Sequence, residues 1–275
     1  MTLEFSLAHL TVLGATALEQ IQVAADAGYN YASLRTTPVA PGEHVAPLAG
    51  DPAMIRQVSM RVAETGVQVL DVELARLGPD DEPEDFLGFL DAAATIGSRH
   101  IVGQLPDPDL NRATDHFGRL CDLALDFGLT VDLEFPSWME VGDLTTAAAV
   151  VAAVARPNAG ILVDALHFFR SRSSPHELAP LPREWFRFVQ LCDAPAAIPP
   201  TVDGLIHTAR AKRSLVGYGQ LPLLDLLEQL PAAPHSLEVP NDVLRHELGS
   251  EKFARLVLAT ARDVCADLGR TARAL

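Results

Sequence analysis

Leu129-Thr-Val-Asp-Leu-Glu134 and Gly160-Ile-Leu-Val-Asp164 are short apolar runs, each closed by a carboxylate. Two further runs repeat the pattern, Phe186-Arg-Phe-Val-Gln190 and His235-Ser-Leu-Glu238. The closing residues are 30, 26 and 48 positions apart. The first two intervals match one strand plus one helix, and the third fits the same unit with a long inserted loop. A charged or amide group at the end of an apolar strand is costly to bury unless something compensates it. In a parallel barrel all four groups converge at the carboxyl-terminal face, where one divalent cation can compensate them together.

Outward from these runs the alternation continues in both directions. Glu4 to His9, Tyr29 to Arg35, Val67 to Glu73 and Arg99 to Gln104 read as the first four strands. Helices are expected over Thr16 to Ala27, Asp51 to Thr65, Glu82 to Ile96 and Asn111 to Phe127. Each stops at or next to a glycine, and Asp51-Pro52 supplies an acidic N-cap with Pro at the first helical position. The segment after strand two is a loop rich in Pro, Gly and Thr. In the second half, helices are expected over Asp143 to Ala155, Leu221 to Leu230 and Glu247 to Leu268, with a short one at Pro175 to Leu181. Asp193 to Gln220 carries three prolines and three glycines and reads as irregular.

Eight strands, each followed by a helix or helix-like turn within 275 residues, predict a single-domain (β/α)8 TIM barrel spanning residues 1–275. The rival is an open doubly wound sheet, which usually shows a Gly-rich phosphate loop after strand one. Leu10-Thr-Val-Leu-Gly-Ala-Thr16 lacks that pattern, so the barrel is favoured.

A hydrophobic content of 48% suffices for a large core, and the formal net charge of −15 argues against a nucleic-acid partner. It gives no support for binding an anionic membrane, and no stretch approaches 18 uninterrupted apolar residues. The three cysteines are too few for a disulfide framework and lack zinc spacing. With no leader-like N-terminus, the cytoplasm is the default location. The helical exterior is compatible with a homo-oligomer, without locating an interface.

Two glutamates, one aspartate and one glutamine form an all-oxygen donor set, which favours Mn2+ or Mg2+ over zinc. Three carboxylates around a +2 ion leave one negative charge. Arg210, Lys212 and Arg213, in the irregular stretch, are placed to help a polarised or anionic substrate oxygen. A metal chelating adjacent carbonyl and hydroxyl oxygens acidifies the intervening C–H by stabilising an enediolate. Glu134 and Glu238 then flank that carbon as acid and base. The same parts permit epimerisation, aldose–ketose isomerisation or β-elimination of water.

The motifs Val131-Asp-Leu-Glu134, Leu162-Val-Asp164-Ala-Leu-His167, Phe188-Val-Gln190-Leu-Cys-Asp193-Ala and Leu237-Glu238-Val resemble the xylose isomerase-like TIM-barrel superfamily. That superfamily includes sugar isomerases and epimerases, inosose and 3-dehydroshikimate dehydratases, and apurinic endonucleases. The resemblance runs over most of the chain and is strongest from Gly128 onward. It implies one divalent ion held at Glu134, Asp164, position 190 and Glu238, with the two glutamates as acid and base. Many members carry His where this chain has Gln190, while some dehydroshikimate dehydratase relatives carry Gln, which raises the lyase reading. Arg213-Ser-Leu-Val-Gly217-Tyr-Gly219 is similar to the family's Arg-x-x-Pro-Gly-x-Gly stretch, in which Arg faces the substrate; Val216 replaces Pro and Tyr218 the common Glu. The endonuclease branch, with a basic face and more histidines, does not fit.

Any one strand-end polar group is most simply explained by a local partner; four in the last four strands together favour a metal site. His167 is a candidate substrate or ligand-orienting group on the loop after strand six, and equally a loop histidine with a local partner. His9, Arg35 and Glu73 end strands one to three and are candidate substrate contacts, Glu73 foremost as an extra carboxylate. Trp138 is either an apolar wall for a substrate ring or a cover on the rim. Asp193 is a candidate salt-bridge partner for Arg210 or Arg213. Three functions follow: a metal-dependent isomerase or epimerase of a small sugar or related hydroxy-carbonyl compound, a dehydratase of a cyclic keto-polyol, and a non-catalytic sugar-binding barrel.

Overall fold

The computed structural model describes residues 3–38, 45 and 48–271. Eight parallel strands close on themselves in sequence order: β1 Phe5–Ala8, β2 Tyr31–Arg35, β3 Gln68–Arg76, β4 His100–Gln104, β5 Thr130–Glu134, β6 Ala159–Asp164, β7 Val189–Leu191 and β8 His235–Leu237. Pairing of Phe5, Ser6 and Leu7 with His235, Ser236 and Leu237 completes the ring. The strands are buried almost throughout, as expected of a parallel sheet covered on its outer face by helices.

Among the described residues ten α-helices accompany them: α1 Ala17–Ala27, α2 Pro52–Thr65, α3 Leu87–Thr95, α4 Leu110–Asp126, α5 Leu144–Val154, α6 Ala165–Arg170, α7 Val202–Ala211, α8 Leu223–Gln229, α9 Asp242–Leu248 and α10 Ser250–Thr271. Their starts follow the capping chemistry of the sequence. Thr16 and Glu19 form a reciprocal capping box ahead of α1, and the Asp51 carboxylate accepts the backbone N–H groups of Ala53 and Met54 ahead of α2. Alternation along the strands divides the core in two. Leu34, Val69, Ile101, Val131 and Ile161 join the large layer shared with the helices. Tyr31, Leu70, Leu74, Val102, Leu162 and Phe188 form a separate cluster on the other face.

Four expectations need correction. Residues 193–220 are not irregular throughout, because α7 forms inside them, capped by the Thr201 hydroxyl on the Gly204 N–H. The prolines lie before the helix and Gly217 and Gly219 after it, so the breakers bracket it. The closing helix is preceded by α9, separated from α10 at Gly249, whose φ of 75° lies in the left-handed region. Strand β3 runs on to Arg76, so Glu73 lies within the strand rather than at its end. His167 sits in α6, which starts directly after β6, rather than in a loop. Residues 39–44 and 46–47 of the Pro-, Gly- and Thr-rich loop, and the chain ends 1–2 and 272–275 of the predicted domain, lie outside the described residues.

Candidate active site at the carboxyl-terminal mouth

Glu134 is the last residue of β5, Asp164 the last of β6, Gln190 the middle residue of β7, and Glu238 follows β8 directly. All four are buried. Glu134, Gln190 and Glu238 line one cleft at the barrel mouth together with Glu73, His167 and Arg213; Asp164 does not line it but accepts a hydrogen bond from Arg213, which does. The enclosed free space in the cleft is about 40 Å³, room for an ion and a water or two, and the cleft opens to solvent beyond it.

Glu134, Asp164 and His167 each bring one donor atom within 4.8 Å of the other two. His167 Nε2 is 3.9 Å from Glu134 Oε1. This closeness follows from the helix start. The Asp164 carboxylate accepts the backbone N–H of His167 at 3.0 Å, capping α6 and tying the start of that helix to the end of β6. Trp138 packs edge-on against that imidazole, with centroids 4.9 Å apart, and lines the cleft.

Arg213 is the centre of charge. Only 2% of its side chain is exposed, with Nη1 2.5 Å from Asp164 Oδ2 and Nη2 2.8 Å from Glu238 Oε2. Its Nε donates to the Ala209 carbonyl at 2.9 Å, which ties it to α7. Arg35 holds Glu73 in the same way, with Nη2 2.5 Å from Oε2. Gln190 donates from Nε2 to Glu73 Oε1 at 3.3 Å, and its Oε1 is buried without a hydrogen-bond partner. His167 Nδ1 is also buried and unpartnered.

Burial raises the Glu134 carboxyl to about 7, with the Asp164 charge adding to the effect and the Gln104 amide opposing it. Burial also raises Glu238, and the neighbouring carboxylates reinforce this against the pull of Arg213. The 2.8 Å contact with Arg213 would by itself lower Glu238; with Glu73, Asp164 and Glu134 crowded around it, the upward direction prevails. Asp164 is buried too, but Arg213 and His167 outweigh that and hold it below its ordinary value. Burial depresses the His167 imidazole to about 4, so near neutral pH it is uncharged and has a lone pair to offer.

A divalent cation fits this donor set. With every group ionised, the carboxylates of Glu134, Asp164 and Glu238 against the guanidinium of Arg213 leave a formal charge of −2. One acceptor lining the same cleft, Gln190 Oε1, is buried without a partner, and His167 turns Nε2 toward Glu134. Native proteins rarely bury acceptors unsatisfied, and a cation is one of the few agents that corrects lone pairs and charge together.

The remaining predicted contacts are distributed around the mouth. Arg210 lines the cleft from the last turn of α7. His9 belongs instead to a neighbouring cleft between β1 and β2 that also reaches Arg35. Asp193 bonds neither arginine: its carboxylate accepts the N–H groups of Gly217 and Leu221, at 3.1 and 3.0 Å, and so shapes the loop after Arg213. Two residues escaped the sequence reading. Gln104 ends β4 and donates from Nε2 to Glu134 Oε2, and Arg76 ends β3 and clasps Gln104 Oε1 from Nη2 at 2.8 Å. Gln104 carried the same signal as the other four, a polar residue closing an apolar run. Arg76 was hidden by ending β3 too early.

The sequence profile of the xylose isomerase-like TIM barrel matches residues 21–256. Comparison with curated proteins gives no match. Among solved structures, the IolI protein with a bound zinc atom superposes with a TM-score of 0.80 at 19% identity, over 97% of this chain and 99% of that one. A xylose isomerase-like TIM barrel/4-hydroxyphenylpyruvate dioxygenase fusion protein gives 0.80 at 19% identity over 94% of this chain. This chain spans only 42% of the fusion protein's length. D-allulose 3-epimerase from Methylomonas sp., in complex with D-allulose, gives 0.68 at 17% identity over 95% and 96% of the two chains. At these identities the likeness is one of fold.

Proposed function

The chain belongs to the xylose isomerase-like TIM-barrel family, and from that premise we propose that it is a divalent-metal-dependent isomerase or epimerase of a small sugar or related hydroxy-carbonyl compound. The observation that carries this reading is the buried cluster of Glu134, Asp164 and His167 at a barrel mouth that Glu238 also lines. Glu134, Asp164, Gln190 and Glu238 are the proposed metal-holding residues, with His167 beside them, and Mn2+ or Mg2+ the proposed ion. When bound, such an ion polarises a carbonyl and so acidifies the neighbouring C–H.

Glu134 and Glu238 are the proposed acid and base, from β5 and β8, three strands apart around the mouth. One takes the proton next to the carbonyl in its ionised form, and the other returns a proton from its protonated form. Gln104 fixes Glu134 by donating to Oε2, while Oε1 faces His167. Arg213 holds Asp164 and Glu238 in position and supplies positive charge to the floor. Trp138 covers His167 and keeps water from that side.

The relatives' names support this assignment by analogy: one is an epimerase crystallised with D-allulose, and another carries zinc. A second reading, elimination of water from a cyclic keto-polyol, is favoured by Gln190. Its amide holds Glu73, and it stands where the resemblance to dehydroshikimate dehydratases expects Gln. In that reading the same base removes the proton, and a protonated carboxyl assists departure of the hydroxyl.

The test is proton exchange in D2O with the Mn2+-loaded protein and a panel of ketoses and cyclic keto-polyols. Deuterium at the carbon next to the carbonyl, without loss of water, supports the isomerase or epimerase; a new conjugated chromophore supports the lyase. Glu134→Gln and Glu238→Gln should each lower the rate at least 1000-fold while leaving the fold intact (order of magnitude for loss of a proton-transfer group). Absence of both signals, with no metal-dependent rise in thermal midpoint, favours a non-catalytic sugar-binding barrel.

A further inference from the structure

The cleft that His9 lines adjoins the floor of the candidate site. Leu34, Leu48 and Met54 make its wall largely apolar, with Gln20 and Arg35 set among them. Its free space is about 370 Å³, against about 40 Å³ enclosed over the floor. Arg35 lines both clefts, so they meet at that side chain, whose charge is held by Glu73.

Gln20 carries the chemical information. Its side chain is fully buried, and Nε2 donates to the carbonyls of Leu7 and Ser33, each at 2.8 Å. Both partners can only accept, so the amide has a single orientation and Oε1 is the atom left over. That oxygen has no hydrogen-bond partner. Buried amide oxygens are rarely left unsatisfied, and neither acid–base chemistry nor metal binding at the floor uses this one. A largely apolar wall with one open acceptor selects an apolar group that carries a single donor. A polyhydroxylated chain entering here would lose most of its hydrogen bonds to water without replacement.

We propose that this cleft holds an apolar arm of the substrate, about the size of an aryl ring and bearing one hydroxyl that donates to Gln20 Oε1. The hydroxy-carbonyl end of the same molecule passes Arg35 to reach Glu134 and Glu238. The compound transformed is then a hydroxyaryl-substituted ketose or polyol rather than a free sugar. As a substrate arm it rests on the proposed metal-dependent reading of the floor; binding in the cleft does not.

The experiment is NMR titration of the protein, metal-free and with Mn2+, with 4-methylphenol and with 4-methylanisole, whose oxygen cannot donate. The phenol should bind at least fivefold tighter than the anisole, the size of effect expected for one hydrogen bond to a buried acceptor. Ala15→Trp and Ala17→Phe fill the cleft from the start of α1, and each should weaken phenol binding at least tenfold with a thermal midpoint close to that of wild type. Gln20→Met should make the two compounds bind alike. It also strips the donors from the Leu7 and Ser33 carbonyls, so if it does not fold, the wild-type comparison of phenol with anisole decides the point. With Mn2+ bound, the ring protons of the phenol should relax faster, because the paramagnetic ion sits in the adjoining cleft. No phenol binding, equal binding of the two compounds to wild type, a preference that survives Gln20→Met, or undiminished binding in the filled variants would each overturn the proposal. So would a bound phenol that Mn2+ leaves unrelaxed in a protein whose thermal midpoint Mn2+ raises. Phenol binding in a protein that takes up no Mn2+ would keep the aryl cleft and remove the metal-dependent reading, and with it the substrate role.

Discussion

Nη1 of Arg213 lies 2.5 Å from Oδ2 of Asp164, and neither side chain is more than 2% exposed. A guanidinium at that depth persists only because carboxylates compensate it, and those carboxylates in turn depend on it. Removing one partner of a buried pair costs about 3–5 kcal/mol, since the other charge is left uncompensated. Arg213→Met should therefore lower stability by roughly that amount in EDTA, measured by urea denaturation. Added Mn2+ should recover a larger share of stability in the variant than it adds to the wild type, because Asp164 and Glu238 would then rely on the ion alone. Identical stability of variant and wild type would show that the pair contributes nothing.

Glu134 gives a pH dependence with a definite sign. Its carboxyl rises from an ordinary 4.5 to about 7 in the folded protein, chiefly because it is buried. The folded state thus holds a proton that the unfolded state releases between these values. Its contribution to stability is full below pH 4.5 and is lost as pH climbs through 7, by roughly 3 kcal/mol for a shift of this size. Metal-free wild type should lose stability across this window relative to Glu134→Gln, which has no proton to lose there. Saturating Mn2+ should abolish the difference by favouring the ionised form. Parallel pH profiles of the metal-free wild type and Glu134→Gln would refute the shift.

The barrel was legible because its strands are short apolar runs with polar ends and its helices carry their caps in the sequence. Glu134 and Asp164 were legible for the same reason, being strand ends in contact with the core. Arg213 was recognised as a substrate-facing residue, but not as the partner of Asp164 and Glu238. Its position depends on α7 and on the loop anchored by Asp193, which are long-range arrangements without local periodicity. The join between β6 and α6 has no loop residues at all, and this brings His167 closer to the carboxylates than spacing alone suggested. Helix α7 was missed because the prolines before it and the glycines after it outweighed a ten-residue helix in a composition-based reading.

Gln190 is a neutral oxygen donor where histidine would supply a nitrogen. Its Oε1 has no hydrogen-bond partner, whereas its Nε2 is held by Glu73. Gln190→His should retain metal binding and shift the preference from Mn2+ toward Zn2+ by about tenfold or more, since imidazole suits zinc better than an amide does. Competitive titration with both ions measures the ratio. An unchanged ratio would remove Gln190 from the ligand set.

The loop that delivers Arg213 depends on two glycines. Gly217 has a φ of 83°, in the left-handed region, and its N–H is bound by Asp193. At Gly219 a β-carbon would stand 2.2 Å from Asp193 Oδ1 and 2.5 Å from the Ala194 nitrogen. The second of these is backbone and cannot swing aside, so Gly219→Ala must push the loop away from β7. That displacement breaks the Asp193 bonds to Gly217 and Leu221, which close the segment running from Arg213. We expect a destabilisation of about 2–4 kcal/mol, in the range for overpacking combined with loss of buried hydrogen bonds. Proton exchange should fall even at temperatures where the variant is fully folded, because Arg213 and its two carboxylates move together. Ser214→Ala, three residues from Gly217 and bonded to Asp193 through its backbone, should leave both quantities nearly unchanged. A Gly219→Ala protein with wild-type stability and exchange would mean that the loop yields without disturbing the floor of the site.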